Sequence, residues 1–319
     1  MSESHPLIEV KNLQKHFNLK QGYIKAVEDV SFSIDVGKTV GLVGESGSGK
    51  STIGKALLRL FALTSGKIFF SGKEISTLKD KELALIRKDM QMIFQDPFSS
   101  LNPRMTTAEI LKEPLIIHKA FRCKKKEEER VYELLDLVGL ESSHAGRFPH
   151  EFSGGQRQRI GIARALALHP KFIVCDEPIA ALDVSIQAQI INLLKSLQDK
   201  MGLTYLFISH DLAMVKYLCT DLVVMYLGHL MEKGPSHRIY KNPLHPYTQA
   251  LLSAIPVPDP KIERKRNKIF LSGEIPRDTP SCSGCVFANR CPASKEICTR
   301  EKPPLVQVDK DHYVRCHLY

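Results

Sequence analysis

The sequence has no stretch that approaches the roughly 20 consecutive apolar residues that a membrane-spanning helix requires. Residues 1–6 show no charged segment leading into an apolar run, so a secretory signal is not expected. Internal repeats and extended low-complexity tracts are also lacking. We therefore expect a cytoplasmic chain, and one that serves a membrane only as a peripheral protein on its inner surface.

Charge of one sign is not concentrated anywhere, although the formal net charge is +10. A basic balance suits nucleic acid or anionic lipid. However, the three lysines at 124–126 are followed directly by three glutamates at 127–129, which is typical of a solvated helix start. With 319 residues, 43% of them hydrophobic, the chain is long enough for a large globular domain plus an appendage.

Strand-like and helix-like segments alternate from about residue 7 to 235, which predicts an α/β domain with a mostly parallel core sheet. Apolar runs at 39–43, 172–175 and 205–208 predict strands that are buried on both faces. A helix after the first run is expected to carry one apolar face, formed by Ile53, Ala56, Leu57 and Leu60.

The stretch 98–165 has helical periodicity and little strand signal, so it predicts a helical subdomain inserted into the sheet domain. Its apolar positions include Val131, Leu134, Leu135 and Val138. Prolines between 243 and 260 predict a rigid, largely non-repetitive linker. We therefore predict one domain over 1–235 and a C-terminal extension over 236–319.

Residues 44–51 match the phosphate-loop pattern G-x-x-x-x-G-K-[ST] between a predicted strand and a predicted helix. Such a loop points backbone N–H groups at phosphate oxygens. Lys50 is expected to reach the β- and γ-phosphates of ATP, and the Ser51 hydroxyl to ligate Mg²⁺. The predicted nucleotide-binding residues here are Gly44, Glu45, Ser46, Gly47, Ser48, Gly49, Lys50, Ser51 and Thr52. Phe17 is the expected partner of adenine and Tyr23 the alternative, but either could equally be a core residue.

Two carboxylates, Asp176 and Glu177, end one of the apolar runs. This position predicts acidic groups at the carboxyl edge of the sheet, beside the phosphate loop. Asp176 is expected to hold Mg²⁺, directly or through water. Glu177 is expected to polarise the attacking water as a general base.

A second anion-binding device is predicted where Ser153, Gly154, Gly155 and Gln156 open a helix. One nucleotide does not need two such cradles from one chain, so the pattern indicates two chains that exchange them across an interface. With Phe152 before it, the motif resembles the Leu-Ser-Gly-Gly-Gln signature of the ABC ATPases, with phenylalanine in place of leucine.

This resemblance implies roles for three further residues in the family order. Gln95 resembles the Q-loop glutamine, which touches Mg²⁺ and water. His210 resembles the switch histidine that contacts the γ-phosphate, so the implied catalytic residues are Glu177, Gln95 and His210. Asp183 resembles the D-loop aspartate that crosses to a partner subunit, although it could be only a helix N-cap.

Two stretches, 94–105 and 242–252, resemble segments of the oligopeptide, dipeptide and nickel importer ATPases. The resemblance covers essentially the whole chain. It implies a motor that drives uptake of oligopeptides or dipeptides across the bacterial inner membrane, with nickel as the alternative cargo. A soluble ABC ATPase that acts on nucleic acid is the alternative from another class, and the absence of a coiled-coil arm counts against it.

The same resemblance implies the partners of the chain. These are a second ABC ATPase subunit, identical or paralogous, in a head-to-tail dimer, two membrane permease subunits and, indirectly, a substrate-binding protein. Nucleic acid is not among them. Phe98, Leu101 and Met105 are candidates for a docking patch for a permease helix, and core packing is the equal alternative.

Five of the eight cysteines fall in the last 38 positions. In a reducing compartment such a group favours metal over disulfides. The spacing of Cys285, Cys291, Cys298 and Cys316 resembles a tail found in this branch, which implies a [4Fe–4S] cluster. Thiolate ligands also suit Zn²⁺, and Cys282 is a fifth candidate. The isolated cysteines are expected to be buried or incidental, namely Cys123, Cys175 and Cys219.

Overall fold

The computed structural model describes residues 5–18, 22–256, 259–264, 268–271, 273 and 283–319, and the chain divides into two compact units. The first unit comprises Met1–Ile34, Thr39–Ser76 and Ser209–Tyr319, and the second Asp35–Lys38 and Thr77–Ile208. The strands are β1 (Ile8–Asn18), β2 (Tyr23–Ile34), β3 (Thr39–Val43), β4 (Ser65–Phe70), β5 (Lys73–Glu74), β6 (Met90–Ile93), β7 (Phe172–Asp176), β8 (Thr204–Ile208), β9 (Asp221–Tyr226), β10 (His229–Pro235), β11 (Leu305–Asp309) and β12 (His312–Arg315).

The α-helices are α1 (Lys50–Leu57), α2 (Asp80–Ile86), α3 (Pro97–Ser100), α4 (Thr107–Ile117), α5 (Lys124–Leu137), α6 (Gly154–Leu166), α7 (Val184–Met201), α8 (Leu212–Leu218), α9 (Ser236–Lys241), α10 (Pro246–Ser253), α11 (Pro260–Glu263) and α12 (Glu296–Arg300). Short 3₁₀ helices lie at Ser142–Gly146, Pro149–Glu151 and Ala288–Arg290. Among the described residues, no helix has both the length and the hydropathy needed to cross a membrane.

The first unit contains a small antiparallel sheet and a second set of hydrogen-bonded strands. The small sheet has the order β2-β1-β4-β5. The second set has the order β11-β12-β10-β9-β3, in which β3 and β9 are parallel and the other pairs are antiparallel. All five residues of β3 are buried, which agrees with the unbroken apolar run in the sequence. The phosphate loop follows this strand.

The apolar face predicted for α1 is correct at Ile53, Ala56 and Leu57, which are buried. The prediction is wrong for Leu60, which is 50% exposed. The helix ends at Leu57, and Arg59 adopts a left-handed backbone with φ +51°. Periodicity alone does not reveal such a turn, because the apolar spacing continues past it.

The described start of the proline-rich segment, which was predicted to be a linker, is instead packed into the first unit. Pro246 occupies the first turn of α10, where the missing N–H of proline has no helical acceptor to lose. Tyr247 in the same turn is fully buried. The described residues 236–256 therefore form structure together with the strands before them, while the division into domains at residue 235 stays a prediction.

A buried carboxylate anchors this C-terminal segment. Glu232 on β10 is 0% exposed and accepts hydrogen bonds from the backbone N–H groups of Leu244 and His245, both at 2.9 Å. Its Oε1 also lies 2.8 Å from Nε2 of His312 on β12. One side chain thus joins the approach to α10 with two neighbouring strands, and a buried carboxylate needs partners of this kind.

The second unit contains a parallel set of strands in the order β8-β7-β6, with helices α2 to α7. Residues 97–166, all of which are described, contain helices and no strand, as predicted. The apolar positions predicted for α5 are buried, namely Val131, Leu134, Leu135 and Val138. Of the docking candidates, Leu101 is a core residue and Phe98 is 59% exposed beneath the guanidinium of Arg157.

A buried histidine in the first unit predicts a loss of stability in mild acid. Burial, reinforced by the cations of Lys302 and Arg315, lowers the pKa of His229 from 6.5 to about 3. Between these two pH values, His229 is protonated in the unfolded chain but stays neutral in the folded chain. The contribution of neutral His229 to the free energy of unfolding is therefore complete above pH 6.5 and falls as the pH falls toward 3. We expect about 2 kcal/mol to be lost by about pH 5.

Thermal unfolding of the His229→Asn variant measures this contribution. Its melting temperature should fall less than that of the wild type between neutral pH and about pH 5. The exposed His237, replaced in the same way, is the matched control and should leave the acid sensitivity unchanged. An unchanged acid sensitivity in His229→Asn would contradict the assignment.

Candidate nucleotide-binding site

Two glycines of the phosphate loop occupy positions that a side chain cannot enter. Gly44 and Gly49 have φ values of +148° and +95°. A Cβ atom on Gly44 would lie 2.1 Å from the carbonyl oxygen of Met225, and one on Gly49 would lie 2.2 Å from that of Ala26. The loop therefore needs glycine at both positions for its path and for its close approach to the neighbouring backbone.

Lys50 lies at the start of α1 and is buried. Its ammonium group donates hydrogen bonds to the carbonyl oxygens of Gly44 and Glu45, both at 2.9 Å, and to Oγ of Ser48 at 3.3 Å. The cation is thus held over the loop rather than pointing into solvent. Ser51 and Thr52 follow in the first turn of the helix. A lysine and a hydroxyl in this arrangement suit phosphate and Mg²⁺.

Glu45 does more in the structure than its place in the motif indicated. Its backbone N–H donates to the hydroxyl of Tyr247 at 2.9 Å. Its carboxylate accepts two hydrogen bonds from Arg290, at 2.7 and 3.2 Å, and the same guanidinium lies 3.3 Å from the hydroxyl of Tyr226. The carboxylate of Glu45 raises the pKa of Arg290 above its ordinary value. Sequence reasoning missed the contacts of Glu45 with Tyr247 and Arg290, and that of Arg290 with Tyr226.

The predicted acidic residues lie at the end of β7 in the second unit. Asp176 is buried, and Glu177 follows it with a left-handed backbone at φ +46°. The backbone N–H of Glu177 donates to the carbonyl of Ile208 at 3.0 Å. Nε2 of Gln95 donates to Oε2 of Glu177 at 2.9 Å. The structure therefore brings together two of the three predicted catalytic residues, Gln95 and Glu177.

The signature motif opens α6 with a capping box. Oγ of Ser153 accepts from the backbone N–H of Gln156 at 3.3 Å, and the Gln156 side chain accepts from the N–H of Ser153 at 3.0 Å. A Cβ atom on Gly155 would lie 2.5 Å from Cγ2 of Ile186, so a glycine is needed for α6 to approach α7. Gly154 is exposed at the helix start, where a helix N-terminus favours an anion.

The remaining predicted residues lie on the surface. His210 is exposed shortly after β8, and Asp183 occupies the N-cap position of α7 without a side-chain capping hydrogen bond. Phe17 packs edge-on against Phe61 at 5.6 Å, and Tyr23 is exposed as well. Neither aromatic residue is part of the core, so both stay available as the predicted partner of adenine.

Comparison with known proteins agrees with the site. Residues 27–180 match the model of the ABC transporter family, and residues 231–298 match the oligopeptide/dipeptide transporter C-terminal region. The chain is 53% identical over 315 residues to the putative oligopeptide transport ATP-binding protein YkfD of Bacillus subtilis, covering 98% of this chain and 96% of the relative. It is 51% identical over 321 residues to the oligopeptide transport ATP-binding protein AppF of the same organism, covering 98% and 97%.

The chain belongs to the ABC transporter family, in the branch of the oligopeptide transport ATP-binding proteins. Among solved structures, it is similar to a dimeric post-hydrolysis state of the ATP-binding cassette MJ0796 bound to ADP and Pi, with 31% identity and a TM-score of 0.66. That match covers 72% of this chain and 98% of the other. The predicted family, the ABC-type α/β fold and the ATPase class are confirmed.

The C-terminal cysteines of this ABC ATPase share one cavity. It is lined by the four thiols, two histidines and Phe287, among others, namely Cys285, Cys291, Cys298, Cys316, His245 and His317. Burial raises the pKa of the Cys285 thiol to about 11 and also raises those of Cys291 and Cys316. Within the described residues, however, no group of three or more histidine, cysteine or acidic side chains is arranged to hold a metal ion.

The three isolated cysteines differ in burial. Cys175 and Cys219 are buried, whereas Cys123 is exposed. Cys282, the fifth candidate ligand, lies outside the described residues. The thiol chemistry fits Zn²⁺ or iron, since both metals take thiolate ligands. The shared cavity is the observation in favour of a cluster, and the lack of a preformed ligand group in the described part of the chain counts against one.

Proposed function

We propose that this ABC ATPase hydrolyses ATP to drive the uptake of oligopeptides or dipeptides across the bacterial inner membrane. The observation that carries the proposal is the match of residues 231–298 to the oligopeptide/dipeptide transporter C-terminal region, in a chain that aligns with peptide-transport relatives over almost its whole length. The chain acts at the cytoplasmic face of the membrane as a peripheral subunit.

The phosphate loop provides the ATP-binding part of this proposal. Residues 44–52 bind the triphosphate, with the Lys50 ammonium neutralising the β- and γ-phosphates. The hydroxyl of Ser51 and the carboxylate of Asp176 hold Mg²⁺, which when bound screens the charge of the phosphate oxygens. Phe17, or alternatively Tyr23, stacks on adenine.

Hydrolysis is the role of Glu177, Gln95 and His210 in this proposal. Glu177 accepts a proton from the attacking water, and Gln95 orients that water because its amide already contacts the Glu177 carboxylate. His210 contacts the γ-phosphate. These roles agree with the pairing of Gln95 and Glu177 in the structure.

The partners follow from the second anion cradle. Ser153, Gly154, Gly155 and Gln156 contact the nucleotide bound by a second ABC ATPase subunit, identical or paralogous, in a head-to-tail dimer, and Asp183 reaches across the same interface. The exposed start of α6 supports this role. Two permease subunits and a substrate-binding protein complete the importer, and nucleic acid is not a partner.

A metal group in the C-terminal region is a separate part of the proposal. Cys285, Cys291, Cys298 and Cys316, which line a common cavity, would hold a [4Fe–4S] cluster, or Zn²⁺ as the alternative. Such a group serves as a structural staple for a segment with a small core. Metal analysis and the visible spectrum of anaerobically purified protein distinguish iron, zinc and no metal.

ATPase activity in lipid, after co-expression with the permease and partner ATPase subunits, tests the transport function. Stimulation by peptides together with their binding protein is the expected result, and Lys50→Ala should remove it. Stimulation by nickel alone would change the cargo to the alternative of the same branch. Activity that ignores peptide and rises with nucleic acid would overturn the proposal.

A further inference from the structure

The C-terminal region contacts the phosphate loop directly, at a residue whose backbone belongs to the loop. We propose that Arg290 and Tyr247 are positioning residues that hold Glu45 and thereby tune the nucleotide affinity, which rests on the proposed role of residues 44–52 in ATP binding. The nucleotide site then extends to a residue that lies 245 positions further along the chain.

The first contact is a two-pronged ion pair. Both terminal nitrogens of Arg290 donate to the Glu45 carboxylate, at 2.7 and 3.2 Å. The side chains are only 10% and 23% exposed, so the pair is largely withdrawn from water. A bidentate, partly buried pair has a defined geometry and exceeds the small contribution of an exposed ion pair.

The second contact fixes the backbone of the loop. The Glu45 N–H donates to the hydroxyl of Tyr247, which is fully buried. This peptide is therefore directed at the tyrosine rather than at a phosphate. It directly follows Gly44, whose path is already restricted by the nearby Met225 carbonyl. The two contacts thus determine how the loop begins.

Three packed aromatic rings connect these contacts with the part of the chain that carries Cys285 and Cys291. Tyr226 and Tyr247 pack at a ring distance of 4.8 Å, and Phe287 packs against them at 5.2 and 5.4 Å. Phe287 is almost fully buried and also lines the cavity of the cysteines. Arg290 ends the 3₁₀ helix Ala288–Arg290, which directly follows Phe287. Because Arg290 follows Phe287 by three positions, the packing of Phe287 positions the part of the chain that carries Arg290.

The expected consequence follows from charge. When Arg290 is removed, the Glu45 carboxylate stays in the loop without its cation, near the position of the triphosphate. A like charge at close range opposes phosphate binding. We expect the dissociation constant for ATP to rise by on the order of 10-fold, within the usual range of coupling between two sites. Since Glu177 and Gln95 are unchanged, KM should rise far more than kcat falls.

Equilibrium titration of the full-length chain with ATP and Mg²⁺ tests the proposal. The variants are Arg290→Ala, Glu45→Gln and the double variant, with Arg300→Ala as an exposed arginine control from the same region. Arg290→Ala should weaken binding alone, but add little when Glu45 is already neutral. Arg290→Lys should restore part of the affinity, because it keeps the charge but loses the second hydrogen bond.

A merely structural role would give a different pattern. Melting temperature and circular dichroism are measured beside each titration to check that each variant is folded. If Arg290→Ala folds poorly, Tyr247→Phe provides a second test, because it keeps the ring and removes only the hydroxyl. Folded Arg290→Ala and Tyr247→Phe proteins that bind ATP like the wild type would overturn the proposal, as would additive effects of the Arg290 and Glu45 substitutions. Lys50→Ala tests the proposed function separately. If this variant bound ATP as tightly as the wild type, the phosphate loop would not be the ATP-binding site.

Discussion

Replacing Glu177 with glutamine should abolish ATP turnover while leaving ATP binding intact. The amide has the same shape and can still accept the hydrogen bond that Gln95 donates at 2.9 Å, so the local geometry is retained. It cannot accept a proton from water, and a positioned general base contributes about 10²- to 10⁴-fold to a rate. We expect a loss of this size in phosphate release, with a dissociation constant for ATP close to that of the wild type.

The exposed Glu301, replaced by glutamine, is the control for a change of one charge. It should leave both turnover and binding unchanged. Turnover in Glu177→Gln within tenfold of the wild type would mean that another group activates the water. Weakened ATP binding together with lost turnover would instead place Glu177 in nucleotide binding rather than in catalysis.

Replacing Glu232 with alanine should cause the largest loss of stability. The carboxylate is fully buried and serves Leu244, His245 and His312 at 2.8–2.9 Å. Removing it leaves two backbone donors and one imidazole without their acceptor in the interior. Breaking a buried, hydrogen-bonded ionic group by removing one partner costs about 3–5 kcal/mol. Thermal unfolding and proteolysis of the segment after residue 235 measure the effect.

Glu232→Gln provides a graded comparison, because its amide keeps one acceptor oxygen and loses the other. It should lie between the wild type and Glu232→Ala in melting temperature. Glu301→Ala removes an exposed carboxylate and should change stability by no more than about 0.5 kcal/mol. Equal melting temperatures for Glu232→Ala and the wild type would show that the carboxylate is not an anchor.

Local patterns explain which predictions from the sequence were correct. The phosphate loop could be recognised because a strand, eight motif residues and a helix follow one another without interruption. Asp176 and Glu177 could be placed because an apolar run ends at them. The longer of these signals runs only from Thr39 to Leu57, a range within which spacing determines which groups share a turn or an edge.

The predictions that failed depended on tertiary structure. Leu60 fits the helical spacing, but the chain turns at Arg59, so the helix has ended before Leu60 is reached. The prolines from 243 onward indicate a linker by composition, yet Pro246 begins a helix and the neighbouring Tyr247 is buried. Packing against β10 and the loop, rather than local preference, decides the structure there.

The contact between Glu45 and Arg290 could not be predicted from one sequence. The residues are separated by 245 positions, and neither stands in a pattern that indicates an ion pair. Tyr247 lies in a stretch whose resemblance to peptide importers was recognised, but that resemblance assigned it no role. Every residue except proline has a backbone N–H, so the identity of residue 45 does not indicate the hydrogen bond that this N–H donates to Tyr247.

The order of the strands around β10 has a consequence for biosynthesis. His312, which completes the partners of Glu232, is made 80 residues later. At roughly 5–20 residues per second, the nascent chain waits about 4–16 s for β12 while the edge of β10 that it will cover stays open. Unpaired strand edges invite pairing with other chains. Slower accumulation of nascent protein, as in cooler cultures, should therefore raise the yield of correctly folded chains.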